Sequence, residues 1–162
     1  MNHIRIRKFN ESDADELYTL VYDTVHRINC SDYTPAQLDA WMPKEYDRML
    51  WKESFHDHYC LIAEDKHEIL GFGDITKKGY LDRLFTNADY QRCGVANRLC
   101  SMLEEYTFQE LAVPSVHVAA SITALRFFLD RDYRIITKQQ VMRRGIALTN
   151  YAMVKYSKQT YE

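Results

Sequence analysis

Three short runs of strand-forming residues, Tyr59 to Ala63, Ile69 to Thr76 and Tyr80 to Thr86, follow one another with only two polar turns between them. The turns, Asp65-Lys66-His67-Glu68 and Lys77-Lys78-Gly79, are hairpin-sized, so the runs form an antiparallel meander. Gly71 and Gly73 fall inside the second run, where glycine marks a bulge or a close backbone approach. Beyond Tyr90 the apolar spacing changes to the helical period. Val95, Leu99, Met102, Leu103 and Tyr106 share one face of a helix that reaches about Leu111 before Pro114 closes it.

The flanks complete an alternating pattern. Ile4, Ile6 and Lys8 alternate with Arg5 and Arg7 as a first strand with one buried face. Ser12 and Asp15 read as a carboxylate variant of the capping box, before a helix to about Asn29 carrying Leu17, Leu20, Val21, Thr24, Val25 and Ile28. Thr34-Pro35 starts a second helix that Pro43 interrupts, and Tyr46 to Phe55 repeats the helical period. Val116 to Ala119 reads as a strand, Ile122 to Asp130 as a helix, and Ile135 to Arg144 and Ile146 to Lys155 as two strands around Gly145. No linker, repeat or low-complexity stretch interrupts the series. It predicts one α/β (α+β) domain over residues 1–162, with a mixed, mostly antiparallel sheet and helices on both faces.

Composition narrows the function classes. With 21 basic and 23 acidic residues the net charge is −2, and the basic residues are scattered, which argues against a nucleic-acid face. No apolar run approaches the length of a membrane span, and Met-Asn-His-Ile-Arg is unlike a signal peptide, so a cytoplasmic protein is expected. Cys30, Cys60, Cys93 and Cys100 form no Cys-x-x-Cys pair and are expected to be free thiols. No metal site is expected, and His56 and His58 read as solvated surface. Cyclic dimers are the commonest homo-oligomers, which makes a homodimer the form to look for. The chain has only five glycines: none stands at Walker spacing, and Gly71 and Gly73 lack the third glycine of a Rossmann loop.

One junction is left for a phosphate ligand. Leu84-Phe85-Thr86 ends a strand, Gln91-Arg92-Cys93-Gly94-Val95-Ala96 forms a loop, and a strong helix begins at once. A helix N-terminus presents unpaired N–H groups and partial positive charge, and glycine lets the backbone approach a pyrophosphate closely. Arg92 adds a charge-assisted donor. Here the sequence resembles the GNAT N-acetyltransferases, whose acyl-CoA loop reads Gln/Arg-x-x-Gly-x-Gly/Ala and is matched by Gln91, Gly94 and Ala96. Asp82 to Tyr90 resembles the family's fourth strand and its run-up to the loop, with Ala88 in place of proline. Ser121-Ile-Thr-Ala124 with Phe127-Phe128 resembles the family's Asn-x-x-Ala-x-x-Phe-Tyr helix. With Tyr33 to Gln37 and Arg144 to Asn150, the likeness is greatest to the small bacterial YafP-like branch.

The resemblance implies a sheet splayed between strands four and five. Acetyl-CoA would be the cosubstrate, with the pantetheine arm along Leu84, Phe85 and Thr86. Gln91, Arg92, Cys93, Gly94, Val95, Ala96 and Asn97 would hold the pyrophosphate, and Ser121 and Phe128 would complete the cofactor site. The implied reaction is direct transfer of acetyl to a primary amine on a small molecule or peptide. The alternative is a non-catalytic CoA-binding or interaction module on the same fold.

An amine of pKa about 10.4 is mostly ammonium at neutral pH, so a base must face the acyl carbon. Asp82, two residues before Leu84 on the same strand face, is the expected base; the bland reading pairs it with Arg83 or Arg5. His117 is a second candidate against a solvent-facing strand histidine. The family's usual acid, a tyrosine, is replaced by Phe128. Tyr133 is the nearest phenol downstream and stands as the candidate acid, although it occupies what resembles the family's buried Phe position, which favours core packing. Cys93 reads as loop filling rather than as a nucleophile. Tyr18, Tyr22, Tyr33 and Trp41 fall where the family shapes its acceptor pocket, and they too are open to a core reading.

Overall fold

The meander forms where its turns require, and each strand of it divides its side chains between two cores. In the computed structural model, which describes residues 3–158, the ends of the expected 1–162 unit lie outside the described residues. The strands are β1 (Arg5–Lys8), β2 (Tyr59–Asp65), β3 (Glu68–Ile75), β4 (Tyr80–Thr86), β5 (Ser115–Ser121), β6 (Arg134–Arg143) and β7 (Ile146–Tyr156). The helices are α1 (Ala14–Ile28), α2 (Pro35–Trp41), α3 (Arg48–Glu53), α4 (Val95–Glu105) and α5 (Leu125–Asp130). One seven-stranded sheet runs in the order β1-β2-β3-β4-β5-β7-β6, and only the β4–β5 pair is parallel.

Strand alternation sends Cys60 and Ile62 to one face, where they join Leu17, Val21 and Val25 of α1 and Leu38 of α2. Leu61 and Ala63 face the other way and join Leu99 and Leu103 of α4 and Phe128 of α5. With both faces covered, β3 is buried from Ile69 through Ile75. The two glycines of β3 answer to close approach. A Cβ on Gly71 would lie 2.8 Å from Val95 Cγ1 and from the Phe85 carbonyl, and one on Gly73 would lie 2.8 Å from Leu103 Cδ1. The bulges sit beside them, at Ala63/Glu64 and Asp74/Ile75. By letting α4 settle onto β3, the pair sets the N-terminus of α4 against the end of β4.

Some boundaries differ from the sequence expectation for local reasons. The box before α1 uses Asn10 and Asp13 rather than Ser12 and Asp15: Ser12 N donates to Asn10 Oδ1 at 3.1 Å, and Asn10 N donates to Asp13 at 2.8 Å. Asp15 turns instead to Arg48. Thr34 and Gln37 cap α2 reciprocally, as Thr34-Pro35 anticipates. Residues Tyr106–Glu110 continue α4 as a π turn. The helix expected from Ile122 starts at Leu125, because β5 runs on to Ser121 and the Ser121 hydroxyl accepts from Ala124 N at 3.0 Å. Among the described residues no helix is long and apolar enough to cross a membrane.

Candidate active site

Parallel β4 and β5 pair only at Tyr80/His117 and Leu81/Val118. Beyond that point β5 stays with β7 as far as Ser121/Asn150, while β4 from Arg83 to Thr86 stays with β3. The sheet therefore splays as expected. The flank of β4 that faces β5 is open along Leu84, Phe85 and Thr86. The Thr86 carbonyl is held by the Thr24 hydroxyl at 2.8 Å and by Gln91 Nε2 at 2.9 Å. Gln91 also donates to the Asn87 carbonyl at 3.2 Å, so its side chain braces the loop against the strand end.

Every residue expected at the cofactor site lines one cleft of about 730 Å³: Leu84, Phe85 and Thr86 from β4, Gln91 through Asn97 from the loop and first turn of α4, and Ser121 and Phe128 opposite. Arg92 and Gly94 take positive φ, 60° and 83°. Gly94 is the N-cap of α4 and has no side chain to cap with. The first backbone bond returning to it is Arg98 N to Gly94 O at 3.1 Å, so the amides of Val95, Ala96 and Asn97 are free of intrahelical acceptors. A Cβ on Gly94 would meet nothing within 4 Å. Arg92 has no ion-pair partner among the described residues. Free amides, an unpaired guanidinium and open space beside Gly94 suit the oxygens of a pyrophosphate.

A second, smaller cleft of about 190 Å³ opens on the other side of the seam. It shares Leu84, Phe85, Ser121, Ala124 and Phe128 with the first, and adds Tyr33, Trp41, Asp82 and Arg143. Tyr33 is fixed there by donating to the Thr149 carbonyl at 2.7 Å and accepting from Ile122 N at 2.9 Å. Tyr18 and Tyr22 line neither cleft: Tyr18 donates to the Pro43 carbonyl, and Tyr22 packs on His26.

Asp82 projects into this second cleft with its side chain 39% exposed, and its Oδ2 is 3.9 Å from both His58 Nδ1 and Arg83 Nε. Arg5 is engaged with Glu64 near the far edge of the sheet. Burial and the charge of Asp74 push the Asp82 carboxyl above its ordinary pKa, against the pull of Arg83, His58 and Arg143.

The network behind Asp82 is not evident from the sequence. Asp74 is fully buried; it accepts from Arg83 Nε at 3.1 Å and from His58 Nδ1 at 2.7 Å. Arg83 lies over Phe55 and Trp51, 3.9 and 4.9 Å from the ring centroids. The available signal was a charged residue inside the apolar run Leu70 to Ile75. His58 is thus largely buried rather than solvated, whereas His56 is exposed. His58, Asp74 and Asp82 place donor atoms within 4.8 Å of one another, but Arg83 already supplies the cation of that group. The hydrogen bond to Asp74 raises the His58 pKa above 6.5 despite its partial burial. His58 therefore contributes stability that is full below that value and is lost as pH rises through the folded-state pKa. Melting curves should show the wild type losing Tm in that window, and His58→Gln should remove this component of the pH dependence.

Tyr133 sits apart from both clefts. It is 2% exposed, donates to Glu104 Oε2 at 2.7 Å and packs edge-on against Phe128. Burial, together with Cys100 and Glu104, drives its phenol far above the usual range. This placement fits the packing reading rather than the acid. His117 is exposed on β5, 3.3 Å from Ser115 Oγ. Cys93 is exposed, and its thiol contacts the Gln91 carbonyl at 3.4 Å. All four cysteines are free.

The sequence model of the acetyltransferase (GNAT) domain matches residues 29–155, and the chain belongs to that family of N-acetyltransferases. It is 32% identical over 154 residues to the uncharacterised N-acetyltransferase YafP of Escherichia coli K12, covering 94% of this chain and 96% of that protein. A GCN5-related N-acetyltransferase from Rhodopseudomonas palustris superposes with a TM-score of 0.90 at 24% identity, over 94% of this chain and 95% of that one. The PaiA N-acetyltransferase of Thermoplasma acidophilum, solved in complex with coenzyme A, gives a TM-score of 0.74 at 16% identity over 96% and 99% of the two chains. Family membership places the chain among the N-acetyltransferases.

Proposed function

We propose that this chain, acting as a single acetyltransferase domain, transfers acetyl from acetyl-CoA to a primary amine by direct attack. The observation that carries the reading is that the two clefts meet where β4 and β5 part, so a donor in one and an acceptor in the other share the wall from Leu84 to Phe85. In the larger cleft the amides of Val95 to Asn97 and the Arg92 guanidinium bind the pyrophosphate, and the open flank of β4 hydrogen-bonds the pantetheine arm. Bound acetyl-CoA supplies the acetyl group as an activated thioester.

The chain's own residues prepare the acceptor. Asp82 takes the proton of the ammonium, directly or through one water, and Arg83 and His58, both anchored by buried Asp74, hold it in place and partly offset the burial that raises its pKa. Phe128 walls the seam and donates no proton. A thiol of pKa about 8.5 leaves without an obligatory acid, so the missing tyrosine is tolerated. Tyr133 then has a structural task, satisfying Glu104 beside Arg131 and Lys155. The test is release of free thiol from acetyl-CoA with a panel of amines. Amine-dependent release is expected; cofactor binding with no release for any amine would leave the catalytic proposal without support.

A further inference from the structure

The smaller cleft contains a cation, Arg143, that makes no ion pair among the described residues. Arg143 is the last residue of β6, paired with Ile146 across a hairpin turn in which Arg144 and Gly145 both take positive φ. That tight turn holds Arg143 at the mouth of the smaller cleft, near enough for its charge to be felt at Tyr80 and Asp82. Its only side-chain hydrogen bond among the described residues is Nη1 to the Met142 carbonyl at 3.1 Å, and it makes no ion pair there. The neighbouring arginines are engaged: Arg83 with Asp74 and Ser54, and Arg144 with the Ala40 carbonyl.

The charged side chains lining the cleft are therefore Asp82, Arg83 and Arg143, and Arg83 is balanced by Asp74. What remains for a ligand is one carboxylate and one guanidinium above an apolar and aromatic wall of Tyr33, Trp41, Phe85, Val141 and Leu148. A polyamine would meet a single carboxylate and a repelling cation. An amine that carries its own acid group on a short frame would answer both charges, and the small volume favours a compact body. We infer that the acceptor is a small zwitterionic amine of the amino-acid type, with its ammonium toward Asp82 and its acid group on Arg143.

The inference rests on the acetyl-transfer reading above, and its test separates the two. Values of kcat/KM are measured for matched pairs differing only in the acid group, phenylalanine with phenethylamine and tryptophan with tryptamine, and for spermidine. The wild type is expected to prefer the acid-bearing member. A hydrogen bond to a charged group contributes about 1.5–3 kcal/mol, so Arg143→Gln should lower that preference at least about tenfold, and Arg143→Glu should invert it. Arg134→Gln, at the exposed other end of β6, should leave the ratio as in the wild type. Equal ratios in the wild type and Arg143→Gln, or a preference for spermidine, overturn the inference while leaving acetyl transfer intact. Absence of turnover with every amine, with acetyl-CoA still bound, overturns both.

Discussion

Asp82→Asn is expected to lower kcat/KM for amine acetylation by about 10²–10⁴-fold, the usual worth of a positioned general base. Affinity for acetyl-CoA should stay as in the wild type, because Asp82 lines the smaller cleft and not the larger one, where we place the cofactor. The pH profile is the sharper readout. Burial and Asp74 place the Asp82 pKa above the ordinary carboxylate value, so wild-type activity should fall as pH drops through that raised pKa. The variant should lack this limb and should gain rate with pH only as the free-amine fraction of the acceptor grows. A merely structural Asp82, paired to Arg83, predicts otherwise: Asn would shift Tm and leave the acid limb in place. Retention of both turnover and the limb in the variant would remove Asp82 from the mechanism.

The backbone plan was legible because periodicity reports which faces are covered. Period-two runs with hairpin-sized turns left the meander no other arrangement, and the 3.6-residue spacing after Tyr90 marked α4. The larger cleft was legible for the same reason: most of its lining is contiguous, in the strand end, the loop and the first helical turn. Its far wall, Ser121 and Phe128, was reached only through the family likeness. Features built from residues far apart in sequence were not legible. Asp74 and Arg83 meet as a directly paired couple across β3 and β4, and Cys60 pairs with Asp74 on the other side, which brings His58 to the same carboxylate. Those contacts depend on strand register past a bulge, which no local pattern announces. The same limit explains Arg143, whose place at the acceptor cleft follows from β7 lying between β5 and β6. Arg5 failed as a partner for Asp82 because β1 lies at the edge, with β2 and β3 between it and β4.

Gly94→Val should abolish acetyl-CoA binding in a protein that still folds. The position has φ 83°, where an L-residue costs about 1–2 kcal/mol, a cost the helix can bear because Val95, Leu99 and Leu103 anchor α4 in the core. A Cβ there meets open space and Gly94 lines the larger cleft, so the isopropyl group is expected to intrude on the cleft beside the free amides of Val95 to Asn97. Two comparison variants separate strain from occlusion. Gly94→Asn tolerates the left-handed conformation and should recover much of the lost Tm while binding cofactor poorly, because its side chain occupies the same space. Gly94→Asp adds a negative charge where phosphates would sit and should bind less well than Gly94→Asn, most visibly at low salt. The measurement is the ligand-induced rise in Tm, which a ligand at about 100 times its Kd makes equivalent to about 2.7 kcal/mol. In Gly94→Val that rise should vanish while the melting transition stays cooperative. An undiminished rise would mean that the amides at the start of α4 do not carry the pyrophosphate, and the cofactor would have to be placed elsewhere along the seam.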